Sequence, residues 1–313
     1  MPKEKIKRVV IIAGYKCNCH CLFCLNSHKR DVPDKTTQEI KAEMIEAKKR
    51  GAKYLELNGG ELTIRPDIVD LVKFARNLNF SVITIPTNGL MFSYKTFTRR
   101  MIEAGLNNII FSIHGHNAEL HDYLTQVPGS FKKLEQGLKT VKNCIKNLGL
   151  KNIYLGSDTV IVKQNYRYLP QIGKYIFDLG LRDSEFIFVD PTYGAAHENF
   201  AKLVPKISEI APYAHKCLEI GRQNHIPHWH IRYVPLCYFE DYLDQISELE
   251  ELKIFRTEHI APDFINLNVE KSRINLAKSK TEKCRNCKLY NKCEGIWREY
   301  LKHYGDKELR AIK

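Results

Sequence analysis

No stretch of this sequence approaches the roughly 20 consecutive apolar residues that a membrane helix requires, and no low-complexity tract interrupts its 313 residues. The basic start, Lys3 to Arg8, leads into an apolar run that covers only Val9 to Ala13. A secretory signal core needs about 7–15 such residues, so this run is expected to be a first strand of a cytoplasmic protein. Acidic residues are in deficit: 36 Asp and Glu face 49 Lys and Arg, for a net charge of +13. The excess is spread along the chain, without a basic arm, an RNA-binding motif or a basic–aromatic block. A nucleic-acid partner is therefore not expected, and the charge suits a lysine-rich solvated surface. With 43% hydrophobic residues the chain can bury a core, and its length allows one large domain plus a small appended one.

Cysteine is the residue not in short supply. Ten are present, and seven fall in two groups: Cys17, Cys19, Cys21 and Cys24, then Cys284, Cys287 and Cys293. The chain is too long for a disulfide-stapled mini-protein, and clustered thiols in a reducing compartment point to metal.

Between the two groups the sequence alternates. Val9-Val-Ile-Ile12 reads as a buried strand of a parallel sheet. Thr36-Thr-Gln-Glu39 is a capping box opening a helix that Gly51 ends. Strands follow over Lys53–Leu57, Phe80–Ile85, Asn108–Ile113, Asn152–Val162 and Glu185–Val189, with helical spacing between them. Six strand–helix units predict an α/β fold, either a partial (β/α)6 TIM-like barrel or a doubly wound sheet. The rhythm stops near residue 225, which predicts a barrel domain over 1–225 and a small cysteine-rich, metal-binding module over 226–313.

The polar motifs sit after strand C-termini, the edge where parallel α/β folds build active sites. Cys17-x-x-x-Cys21-x-x-Cys24 follows the first strand. Three thiolates can hold three irons of a [4Fe–4S] cluster, which leaves the fourth iron open. A zinc knuckle is the alternative, with Cys19, His20 or His28 completing it. Gly59-Gly60-Glu61 after the second strand is either a plain turn or a close-approach loop carrying a carboxylate. Thr87-Asn88-Gly89 and Ser112 end the third and fourth strands, where they can equally cap local backbone. His114 and His116 leave the same edge as surface residues or as groups that move a proton. Asp158 either lines the barrel or faces outward.

The cysteine triplet, with Phe23 just before its last member, resembles the radical S-adenosylmethionine (SAM) superfamily. The resemblance implies a partial barrel with a SAM-binding [4Fe–4S] cluster at its mouth. There SAM is cleaved reductively to a 5′-deoxyadenosyl radical that abstracts hydrogen from substrate. It also implies Phe23 against the adenine, Gly59, Gly60 and Glu61 at the SAM amino group, and Thr87, Asn88 and Ser112 at its ribose and carboxylate. Cys284-x-x-Cys287-x5-Cys293 is similar to the SPASM/twitch extension of such enzymes. The longer SPASM form has a further cysteine where this chain has Trp297, so the shorter arrangement with one auxiliary [4Fe–4S] cluster is implied. Cys237 would supply its fourth ligand. A structural zinc site with the same four cysteines is the alternative, since both metals take four thiolates. Cys144 and Cys217 are expected in the core.

The function expected is radical modification of a peptide or protein, with an electron donor such as flavodoxin or ferredoxin. A small phosphorylated metabolite, nucleotide or pterin precursor is the second substrate class. A zinc- or iron–sulfur-binding structural or electron-transfer protein is the reading from another class. Glu61 and an open iron at Cys17, Cys21 and Cys24 separate it from the enzymes, because a passive carrier uses neither.

Overall fold

The computed structural model describes residues 5–313. Its frame is a parallel sheet of β1 (Ile6–Ile12), β2 (Tyr54–Asn58), β3 (Val82–Thr87), β4 (Asn108–Ser112), β5 (Tyr154–Ile161) and β6 (Asp183–Phe188). The helices α1 (Thr37–Lys49), α2 (Ile68–Asn77), α3 (Lys95–Glu103), α4 (Ala118–Thr125), α5 (Ser130–Asn147) and α6 (Leu169–Asp178) connect them. Thr36 caps α1 as its sequence predicts, with Glu39 completing the box. The strands have two unlike faces. Leu55, Leu57, Ile83, Ile85, Ile109 and Phe111 are fully buried against the helices. Tyr54, Glu56, Asn58, Thr84, Asn108 and Ser112, at the alternate positions, line an interior cavity. That period of two makes the lumen polar while the outer face supplies the core.

The α/β class and the partial barrel hold, but the sheet is larger than six strands. After α7 (Gly194–Glu198), α8 (Phe200–Leu203) and α9 (Ile207–Gln223) comes β7 (His228–Arg232), paired parallel to β6. Then α10 (Ser247–Ile254) leads into β8 (Phe255–Ile260), which pairs parallel to β1, and β9 (Ile265–Asn266) turns back along β8. The strand order is β7-β6-β5-β4-β3-β2-β1-β8-β9. Both edges of the sheet thus come from beyond residue 225, so the residues after that point complete the barrel before they reach the second cysteine group. β7 and β8 do not pair with each other, and α10 lies against both. No helix among the described residues is long and apolar enough to cross a membrane.

The remaining chain forms α11 (Val269–Ser272), a ribbon of β10 (Lys278–Ser279) and β11 (Ile296–Trp297), and α12 (Arg298–Tyr304). A chain of buried charges ties it to the barrel. Lys278, 1% exposed, meets Glu248 at 3.1 Å and Glu294 at 2.9 Å. Arg273 meets Glu294 at 2.8 Å and Glu251 at 3.2 Å. Glu251 also pairs with Arg232 of β7 and Arg8 of β1. Every cation has a carboxylate partner, the condition under which charges tolerate burial. Burial alone would raise the Glu251 pKa, but Arg232, Arg8 and Arg273 together bring it down to about 2.

Candidate active site

The loop after β1 is held from several sides before any side chain acts. His20 and Leu22 donate backbone N–H bonds to Thr125 and Leu124 at the end of α4. Arg30 reaches back to the carbonyls of Cys19, at 2.6 Å, and Cys17, at 3.4 Å. Cys17, Cys21, Phe23 and Cys24 consequently face one cavity of about 870 Å³, and all three cysteines are free thiols. Burial, with Cys24 and Cys17 nearby, pushes the Cys21 thiol up to about 12, and burial likewise raises Cys24. Three thiolates crowded together do not ionise readily on their own; a bound cation reverses that balance. Cys19 borders the same cavity. Its thiol donates toward Cys17, which lowers the Cys17 pKa, and it accepts from Asn88 Nδ2 at 3.3 Å.

The glycine loop after β2 packs directly on the cysteine loop. Gly60 N donates to Gly14 O at 3.0 Å and Glu61 N to Lys16 O at 2.9 Å. A Cβ on Gly60 would stand 2.1 Å from Lys16 O and 2.6 Å from Tyr15 O, both backbone atoms that cannot swing aside. Gly60→Ala is therefore expected to displace the cysteine loop, at an overpacking cost of about 1–3 kcal/mol. Several-fold loss of metal at the first cysteine group, read by iron content and absorbance, is the expected result. Full iron in that variant would show that the loop does not depend on this contact.

Glu61 is buried and already well supplied with donors. Its Oε1 accepts from Thr63 N, Thr63 Oγ1 and Thr87 Oγ1, and its Oε2 from Asn88 N at 2.7 Å. Acceptor capacity toward a ligand is left chiefly on Oε2. Asn88 Nδ2 bonds Asn18 Oδ1 at 2.6 Å, so Glu61, Thr87 and Asn88 form a clasp joining three strand-end loops. Gly59, Gly60, Glu61, Thr87, Asn88 and Ser112 all border the same cavity as the cysteines.

The two histidines part company. His114 is 4% exposed and lies edge-on to Phe23, ring centroids 4.7 Å apart. Its Nδ1 accepts from Val160 N at 3.3 Å, which assigns the ring proton to Nε2. Burial, then His121, lowers its pKa to about 3. It is a neutral hydrogen-bond donor on the cavity wall. His116 does not border the cavity. The chain bends at His116–Asn117 to start α4, and its ring rests on Tyr168 instead. Asp158 does face the lumen, where burial, then Glu185 and Glu56, raises its pKa well above the usual carboxylate range.

Sequence reasoning passed over Arg30 and the lumen residues Glu56, Glu185, Arg232 and His259. Only Glu56 carried a signal, the polar–apolar alternation of Tyr54-Leu-Glu-Leu-Asn58.

The second cysteine group gathers around a separate cavity. Cys237, Cys284, Cys287 and Cys293 line one small cavity of about 20 Å³. Gly295 N donates to Cys293 Sγ at 3.3 Å and Ile312 N to Cys287 Sγ at 3.4 Å. Such N–H···S bonds are one of the means by which proteins tune iron–sulfur centres. Spacing bears on the metal. Tetrahedral zinc with bonds of about 2.3 Å would hold its sulfurs roughly 3.8 Å apart. Among the described residues no three cysteine sulfurs lie within 4.8 Å of one another, in either group. That spacing can accommodate a multi-iron core.

Residues 11–161 match the family described as the radical SAM superfamily. The chain is 26% identical over 178 residues to an AdoMet-dependent heme synthase of Methanosarcina barkeri, covering 56% of this chain and 48% of that protein. It is 22% identical over 245 residues to a probable GTP 3′,8-cyclase of Sulfurisphaera tokodaii, covering 78% and 75%. The chain thus spans about half the length of the heme synthase relatives. Among solved structures, Streptococcus suis SuiB bound to the precursor peptide SuiA superposes over 98% of this chain and 75% of that one, with a TM-score of 0.68 and 16% identity. Native anSMEcpe with bound AdoMet and the Cp18Cys peptide covers 98% and 93%, with a TM-score of 0.67 and 15% identity. At these identities the likeness is one of fold.

Proposed function

Residues 11–161 carry a radical SAM domain, and from that premise we propose that the chain is a radical SAM enzyme modifying a peptide or protein. The observation that carries this is the convergence of Cys17, Cys21 and Cys24 with Gly60, Glu61, Asn88 and Ser112 on one cavity. A [4Fe–4S] cluster with SAM, when bound, supplies one-electron reductive cleavage of the sulfonium. Cys17, Cys21 and Cys24 would hold that cluster, and the Glu61–Thr87–Asn88 clasp fixes the loops that would bind SAM. Phe23 and His114 form an aromatic wall beside them. Cys237, Cys284, Cys287 and Cys293, which line one small cavity, would hold a second [4Fe–4S] cluster.

The working division falls near residue 225: a SAM-cleaving part over 1–225 and an auxiliary-cluster part over 226–313, which lends the barrel β7 and β8. Free thiols and oxygen-sensitive centres suit the reducing cytoplasm, with flavodoxin or ferredoxin as electron donor. The cavity of about 870 Å³ has room for SAM and for a reacting group beside it, and a peptide side chain suits that space. The peptide complexes of SuiB and anSMEcpe point the same way. A nucleotide or other small phosphorylated metabolite is the second reading, favoured by the GTP 3′,8-cyclase relatives and by Arg8 and Arg232 in the lumen.

Anaerobically reconstituted protein is expected to hold about eight irons and to form 5′-deoxyadenosine with dithionite and SAM. Stimulation of that product by a peptide pool, and not by nucleotides, would support the substrate class, and the reverse would select the second reading. Absence of the product from iron-replete protein would remove the enzyme assignment.

A further inference from the structure

At the far end of the barrel from the cysteine loop, a different set of ligating groups meets. β7 begins with His228-Trp229-His230, and the strand's orientation is fixed by what lies behind it. Trp229 is fully buried, donates Nε1–H to Cys217 O at 3.0 Å, and sits against Gly221. A Cβ on Gly221 would stand 2.3 Å from the indole, so only glycine lets α9 approach this closely. With Trp229 and Ile231 facing the helices, His228, His230 and Arg232 all face the lumen. α10 places Glu250 beside them, with Glu250 Oε2 at 3.5 Å from His230 Nε2. One donor atom from each of His228, His230 and Glu250 lies within 4.8 Å of the others, and this is the only such set among the described residues.

We propose that His228, His230 and Glu250 form a site for a single divalent transition-metal ion, distinct from both cysteine groups. The donor set selects the metal class. Two imidazoles and one carboxylate suit zinc, cobalt or nickel better than calcium or magnesium, which prefer all-oxygen shells. The mononuclear spacing contrasts with the open cysteine sets. His228 is exposed, so the ion exchanges with solvent and water takes the fourth position. Asp183, in register with His228 on β6, adds a neighbouring carboxyl. Structurally the ion joins β7 to α10, the helix that occupies the gap where β7 and β8 remain unpaired.

The test uses full-length protein with its cysteine sites loaded with iron, so that added zinc finds no free thiolates. After dialysis against a chelator, calorimetric titration with zinc chloride is expected to show one equivalent. The zinc X-ray absorption edge should report nitrogen and oxygen neighbours at about 2.0–2.1 Å and no sulfur near 2.3 Å. His230→Ala and Glu250→Gln should each weaken binding at least tenfold while iron content stays unchanged, which shows that the fold persists. Should a variant lose iron, the zinc edge of the wild-type protein decides alone. No zinc uptake, sulfur in the first shell, or uptake unaltered by both substitutions would overturn the proposal.

Discussion

Cys21→Ala is expected to abolish formation of 5′-deoxyadenosine, leaving only the background of protein without reductant. Cys21 stands between Cys17 and Cys24 on the cavity wall and is largely shielded from solvent. No neighbour can replace its sulfur. Cys19 borders the same cavity, but its sulfur is engaged with Cys17 and with Asn88 Nδ2. With two thiolates left, a cluster of this type is not retained in a form that offers an open iron. Cys287→Ala is the paired control. It removes one sulfur from the other cavity and should spare the iron of the first site. Iron content and product chromatography on the two variants read both effects. If Cys21→Ala kept SAM cleavage, the site would lie elsewhere.

Glu294→Ala should lower stability by about 3–5 kcal/mol, the cost of leaving buried cations without their partner. Glu294 accepts from Arg273 through both oxygens and from Lys278 at 2.9 Å, and all three side chains are almost fully buried. Glu248 and Glu251 still face the two cations, so the loss falls short of full exposure of two bare charges. Glu294 directly follows Cys293, and the same change is expected to reduce iron at the second site. Urea unfolding of the apoprotein, compared with Glu294→Gln, measures the effect without the metal. A difference from wild type under about 0.5 kcal/mol would mean that the network contributes little, as exposed pairs do.

The parts of the fold legible in the sequence are those whose outer face is apolar over a full strand. β1 reads as Val9-Val-Ile-Ile12, and Thr36 with Glu39 marks the start of α1 unambiguously. β7 and β8 escaped notice because their polar residues face inward. His228, His230 and Arg232 alternate with Trp229 and Ile231, and on β8 Thr257 meets Arg8 while His259 lines the cavity. A charged lumen inverts the usual equation of polar with exposed. α4 has eight residues with a cap at Asn117, too short for periodicity to register. In the site, cysteine spacing is a covalent pattern and survives in one dimension, so all seven expected ligand positions come together in two cavities. The inward turn of His114 and outward turn of His116 depend on where α4 packs, which local sequence does not encode.

The strand order has a consequence for synthesis. β1 leaves the ribosome first, yet one of its edges is satisfied only by β8, whose last residue is Ile260. At about 5–20 residues per second, that edge waits roughly tens of seconds for its partner. An unpaired strand edge invites pairing with another chain, and charged side chains are the usual protection. Lys7 and Arg8 lie on β1 in register with Arg256 and Thr257. In the finished protein Arg8 anchors Glu251; in the nascent chain the same charge guards the open edge of the first strand.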